Sequence, residues 1–328
     1  MPLRVPNGRA KSRQMDEFEL IGRLIEILGD NVRGPHILLG PGDDAAVVEI
    51  PAGSLAVSSI DTLVGGVHFP IDAPADLVGF RTLGVSLSDL AAMGADVDYV
   101  LIALTLPDGS TRWVEQFALG VSAAASRFGA KIAGGNLTRG PLNISVSVHG
   151  HVARDEMLTR AGARPGDLVC VSGQLGGAAA ALTRTDLESA ADLPTLLSVG
   201  PDHPLYPLRR YYLPEPRIEL GRALRGLATA AIDISDGLIA DLGHICAASG
   251  VAADVELDAV PVVAGVDRQL AVTGGDDYEL CFTIAPHDRD RLPDGVHVIG
   301  RIGRGSGVSV TSGGRRVHFE KKGFNHFR

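Results

Sequence analysis

Aspartates recur in this chain at places where an element ends beside Gly or Ser. Asp43 and Asp44 lie in PGDDAA, Asp61 in SIDTL, and Asp89 in LSDLAAMGA. Asp233 and Asp236 lie in DISDGL, and Asp276 and Asp277 in GGDDYEL. Each is set in apolar surroundings rather than in a solvated charge run. Several carboxylates cannot be buried ionised without a counter-charge. Mg²⁺ is the natural one, because it takes hard oxygen ligands, usually one or two carboxylates together with water and substrate phosphate. The glycines beside them offer backbone N–H groups to phosphate oxygens. Taken singly, each Asp-Gly is a turn or a helix cap, and Asp233-Ile-Ser-Asp236 reads as an N-cap. Taken singly, His68 reads as a surface or packed histidine, Arg139 and Arg160 as surface charges, Trp113 as core, and His149 and His151 as a polar strand face without a role. The collective pattern, not any one member, points to cation-assisted phosphate chemistry. Other phosphate and hydrolase signatures are missing: there is no Gly-Lys pair for a Walker A loop, no G-x-S-x-G and no H-E-x-x-H. Gly40-Pro-Gly42-Asp-Asp-Ala45 fits G-x-G-x-x-A only formally, since two carboxylates would repel a pyrophosphate unless a cation stood between.

The elements that must position these residues follow from hydrophobic period. Residues 16–28, 76–93 and 111–129 read as helices, the last closed by Gly129, and Asp89 falls inside the second. Residues 55–61 and 99–106 read as strands, and 143–152 alternates strictly, as a strand with one buried face does. KIAGGN reads as a short strand running into a glycine turn. Beyond a soft boundary near residue 152 come the turn Arg164–Asp167, a strand at DLVCVSG and an Ala-rich helix from about 175. A polar, Pro-containing stretch at 186–216 and a helix after Pro216 follow. ATAAIDISDGLIADLGHI reads strand, acidic turn, helix, and the last part holds strands near 278–285, 297–302 and 308–319 with a hairpin turn at Ser312–Gly314. The fold class is α/β in two domains, 16–152 and 153–328, with a frayed leader over 1–15.

Composition narrows the function. The chain has 328 residues and a net charge of −9, which argues against a nucleic-acid binder. No apolar run approaches the ~20 residues that span a bilayer. The three cysteines are too dispersed for a disulfide framework or thiolate zinc site, and they suit a cytoplasmic protein. The 41 glycines suggest many tight loops near a ligand.

PGDDAAVV, SIDTLVGGVHF, LSDLAAMGAD, IAGGNLTRGP, LTRAGARPGD, AIDISDGLIADLGHI, GGDDYELCFT and KKGFNHF occur in the order seen in the thiamine-monophosphate kinase family. That family belongs to the superfamily resembling aminoimidazole ribonucleotide synthetase, and the resemblance runs from about residue 16 to the last residue. It implies two α/β domains, a homodimer whose N-terminal strands form an intersubunit barrel, and phosphoryl transfer from ATP to thiamine monophosphate with several Mg²⁺ ions. It places magnesium ligands on Asp44, Ser59, Ile60, Asp61, Asp89, Asn136, Asp233 and Asp236. Nucleotide contacts fall on Gly135, Asn136, Arg160 and Ser235, and substrate contacts on His68, Asp276 and Phe324. No general base is expected, because the acceptor is already a phosphate. Four positions depart from the family's usual residue: Ile60 replaces Thr, Asn136 replaces Asp, Asp276 replaces Glu, and Phe324 replaces an aromatic with a polar handle. The alternatives are another ATP-using member of the superfamily and a nucleotide-binding scaffold without activity.

Overall fold

A computed structural model describes residues 17–183, 192–320 and 323–324. The expected leader at 1–15 lies outside the described residues. The N-terminal half opens with helix α1 (Glu17–Leu28) and a two-stranded ribbon, β1 (Ile37–Leu39) with β2 (Val47–Val48). A four-stranded sheet follows from β3 (Ser54–Val64), β4 (Asp96–Leu106), β5 (Lys131–Arg139) and β6 (Asn143–Ala153), in the order β3-β6-β4-β5. Helices α2 (Ala75–Ala92) and α3 (Thr111–Phe128) cover one face. The alternation in β6 is realised: Ile144, Val146 and Val148 are fully buried against the helices. Gly129 takes the left-handed conformation that ends α3, where any other residue would be strained.

The C-terminal half is built on seven strands: β7 (Leu168–Val171), β8 (Ala228–Asp233), β9 (Ala252–Glu256), β10 (Leu280–Ile284), β11 (His297–Gly303), β12 (Gly307–Ser312) and β13 (Arg315–Val317). Their order is β13-β12-β9-β11-β7-β10-β8, antiparallel except for β12 beside β9. Helix α4 (Gly177–Ala181), α5 (Leu193–Ser198), α6 (Tyr206–Tyr212), α7 (Ile218–Ala223), α8 (Leu238–Ser249) and α9 (Arg268–Thr273) complete it. α8 buries Leu238, Ile239, Leu242, Ile245 and Cys246. All three cysteines are buried free thiols.

Helix α2 is the element on which the halves meet. It packs on β3, β4 and β6 from one side and on α6, α7 and β8 from the other. Nearly every one of its residues is buried, the polar Arg81, Thr82, Ser86 and Ser88 included. α4, α5 and α6 also return to the first core, where Ala178, Leu196, Leu208 and Tyr211 join the cluster around α2.

Three local expectations are corrected. Gly134-Gly135 is not a turn: β5 runs through both, with a bulge opposite Val100–Leu101, and a Cβ on Gly135 would lie 2.1 Å from the Ile102 carbonyl oxygen. The stretch 186–216 holds two helices, α5 and α6, with Pro194 and Pro207 in their first turns; residues 184–191 lie outside the described residues. β9 and α9 were not foreseen, because their runs are short and carry no clear period.

Candidate active site

Three aspartates from distant parts of the chain meet beside α2. Asp61 stands near the end of β3, Asp89 on the last turns of α2, and Asp233 closes β8. The Ser59 hydroxyl, on the same face of β3 as Asp61, donates to Asp89 Oδ2 at 2.5 Å. Burial and then the charge of Asp89 push Asp61 up to about 6. Burial, then Asp89, and to a lesser degree Asp61, push Asp233 up to about 7. The charge that acts most strongly on both groups is that of another carboxylate, Asp89. Ser86 faces Asp61 and Ser88 faces Asp233, which offsets a little of each rise. Neither hydroxyl reaches full hydrogen-bonding geometry, and both oxygens are buried without a partner.

Among the described residues, no three His, Cys, Asp or Glu side chains converge at metal-ligand distance. The donor chemistry nevertheless fits Mg²⁺. The set is all hard oxygen, its charges repel one another, and two buried hydroxyls beside it lack partners. A divalent cation with its water would relieve both deficits.

The turn after β8 is fixed by a residue the sequence did not flag. Asp241 Oδ2, one turn into α8, accepts from the backbone N–H groups of Ser235, Asp236 and Gly237 at 3.1, 3.1 and 3.0 Å. Burial and the neighbouring Asp233 push Asp241 up to about 7, against those backbone donors. Two expectations change here. The N–H groups of this loop serve Asp241 rather than standing open to phosphate. α8 begins after Gly237 without a side-chain cap, so Asp233 and Asp236 are not its caps.

The expected substrate contacts hang on the same turn. Asp276 N–H donates to Ser235 O at 2.8 Å, Tyr278 N–H to Ile234 O at 2.8 Å, and Phe324 N–H to Asp236 O at 3.0 Å. Asp276 and Tyr278 have φ of 67° and 51°, a conformation that costs non-glycine residues energy and marks an over-determined site. Gly275 precedes them because a Cβ there would lie 2.2 Å from Ser235 O. Asp276 Oδ1 accepts from Arg81 at 2.7 Å and from the Tyr278 hydroxyl at 2.8 Å. Arg81 also donates to Tyr211 O at 2.6 Å, and the Tyr211 hydroxyl donates to His68 O at 2.9 Å. The structure thus joins Ser59, Asp61, Asp89, Asp233, Ser235, Asp236, His68, Asp276 and Phe324 into one connected region.

It does not bring in the others. Asp44 is exposed on the loop between β1 and β2, where its N–H bonds Asp43. Ile60 lies on the opposite face of β3 from Ser59 and Asp61 and is 67% exposed, so its side chain cannot share their cation. Gly135 and Asn136 are on β5, three strand spacings from β3, roughly 14 Å. Asn136 pairs with Ala103 on the same outer face as Ile60. The Arg160 carbonyl meets Ser249 at the far end of α8, roughly 18 Å along that helix from the acidic turn. Arg81 and Asp241 were missed, although a lone Arg inside an apolar helical stretch is a signal, since such a charge is buried only when paired.

The N-terminal domain of the AIR synthase related protein family matches residues 42–152, and its C-terminal domain matches residues 164–312. A thiamine-monophosphate kinase of Salmonella typhimurium is 40% identical over 331 residues, covering 95% of this chain and 98% of that one. Among solved structures, thiamine-monophosphate kinase from Stenotrophomonas maltophilia K279a is 41% identical with a TM-score of 0.76, over 92% of this chain and 98% of that one. AaThiL, solved complexed with AMPPCP and TMP, is 32% identical with a TM-score of 0.73, over 95% and 97%.

Proposed function

The chain belongs to the AIR synthase related family, and we infer that it transfers the terminal phosphoryl group of ATP to thiamine monophosphate, giving thiamine diphosphate and ADP. The observation that carries this reading is the meeting of Asp61, Asp89 and Asp233 where β3 and β8 pack on α2, with Ser59 holding Asp89. Two polyanions must be brought in line, and their mutual repulsion must be cancelled. Asp61, Asp89 and Asp233, with Asp236 beside them, would hold Mg²⁺. When bound, Mg²⁺ supplies positive charge to the phosphate oxygens and polarises the transferring group. The residues themselves do the rest. Ser59 fixes the rotamer of Asp89, and Asp241 fixes the backbone that carries Asp233 and Asp236. Ser235 would meet the nucleotide, and His68, Asp276 and Phe324 would line the acceptor end.

A phosphate monoester has a second pKa of about 6, so the acceptor is largely dianionic at neutral pH and needs no general base. Transfer is direct, with no phospho-enzyme. The chain divides near residue 152 into two units, and it acts as a homodimer in the cytoplasm. The exposed outer face of the four-stranded sheet, which carries Ile60 on the edge strand β3, and the exposed apolar ribbon at Leu38 and Val47 support a second copy closing over that face. A partner would also bring Gly135, Asn136, Arg160 and Asp44 to a nucleotide that one chain leaves remote from them. Among the described residues no helix is long and apolar enough to cross a membrane. ADP release tests the reaction: thiamine monophosphate should support it, and thiamine or other phosphate monoesters should not. Equal release with any of them would overturn the assignment.

A further inference from the structure

An arginine inside a helix buried on all sides is costly unless its charge is paired and its hydrogen bonds are made. Arg81 is 2% exposed, and every partner it has belongs to the acceptor end of the site. One guanidinium nitrogen holds Asp276 Oδ1 at 2.7 Å and another holds the Tyr211 carbonyl at 2.6 Å. The guanidinium lies 4.1 Å above the Tyr211 ring, and the hydroxyl of that ring holds the His68 carbonyl. Arg81 Nε is buried without a partner, so the side chain is committed to these contacts rather than to a wider network. Asp276 keeps a quarter of its side chain exposed, and Oδ2 takes none of these bonds.

We propose that Arg81 is the positioning residue of the acceptor subsite: it clamps Asp276 through Oδ1 and the His68 turn through Tyr211, which leaves Oδ2 of Asp276 directed at the substrate. The inference rests on the reading of His68 and Asp276 as acceptor contacts. It also gives α2 a ruler's role. Arg81 and Asp89 are eight residues apart, so one rigid helix sets roughly 12 Å between acceptor recognition and the phosphoryl-transfer carboxylates. The shorter carboxylate of Asp276 makes the clamp more important, because an aspartate has one fewer torsion with which to correct its aim.

The experiment is steady-state ADP release by the full-length wild type, Arg81→Lys, Asp276→Asn and the double variant, with thermal unfolding of each. Lys keeps the charge but loses the planar fork that holds two partners at once. Arg81→Lys should raise KM for thiamine monophosphate roughly tenfold, with KM for ATP within about twofold and a smaller change in kcat. On the Asp276→Asn background the same change should have a smaller effect, the remainder being what Arg81 does through Tyr211 and His68. An acceptor KM within about twofold of wild type, a parallel rise in both KM values, or an undiminished effect in the double variant would overturn the inference. If Arg81→Lys does not fold, Tyr211→Phe keeps the ring under the guanidinium and removes the hydroxyl that holds the His68 carbonyl; it should raise acceptor KM alone, and an unchanged KM overturns the clamp. A wild type that does not turn over thiamine monophosphate overturns the function and this inference together, whereas an active wild type with a silent Arg81→Lys overturns the inference only.

Discussion

Asp233 and Asp89 are held close by the fold although their charges repel, so function and stability pull in opposite directions there. Replacing Asp233 by Asn removes a buried charge whose protonation burial and Asp89 already favour. The Asp233→Asn protein should therefore unfold at the same or a higher temperature than wild type without metal. It should lose at least about a hundredfold in kcat, the scale of removing an electrostatic contact to the transition state. Calorimetry beside the ADP assay reads both. Asp277 gives the pH test. Its carboxylate is buried, accepts from Gly176 N–H at 2.8 and 3.0 Å, and is pushed up to about 8, with burial outweighing Arg210 and that N–H. The unfolded chain titrates it near the ordinary value of about 3.9, so between about 4 and about 8 the folded state binds the extra proton. Its contribution to stability is complete at the acid end of that window and is lost as pH rises through 8. Urea unfolding of Asp277→Asn from pH 5 to pH 9 should show a shallower decline than wild type; an equally steep decline would mean that Asp277 is ionised throughout.

At the scale of elements, glycine explains how α2 reaches the site. A Cβ on Gly79 would lie 2.2 Å from Phe117 O, and one on Gly120 would lie 1.8 Å from Asp76 O, so α2 and α3 touch backbone to backbone. On the other side of α2, a Cβ on Gly221 would lie 2.1 Å from Ala91 O. Gly120→Ala should destabilise by about 1–3 kcal/mol or more, the cost of overpacking a tight core, and chemical denaturation measures it. The glycine count suggested loops, but these glycines are close crossings of helices, and composition alone does not separate the two. Period and punctuation did make α2, α3, β6 and the strand–turn–helix at Asp233 legible, because each buries a face that repeats. The aspartates were legible as a set for a related reason: ionisable groups in apolar segments need a shared explanation. Asp241 and Arg81 were not, because their roles depend on partners 4 to 195 residues away that only the folded chain brings together.

For the whole molecule, one chain assembles the carboxylates and the acceptor end but leaves Gly135, Asn136 and Arg160 apart from them. Ile60→Glu, on the exposed outer face of the sheet, should convert a dimer to a folded monomer that no longer turns over. Light scattering with circular dichroism checks this, and an active monomer would contradict the proposed assembly. The proposed seat of phosphoryl transfer is Asp61, Asp89 and Asp233, and Asp89 is the group that both other carboxylates face. It is tested most directly by the rate of thiamine diphosphate formation by Asp89→Asn at saturating Mg²⁺, ATP and thiamine monophosphate. That rate should fall about a thousandfold in a protein that melts no lower than wild type; turnover close to wild type would contradict the assignment.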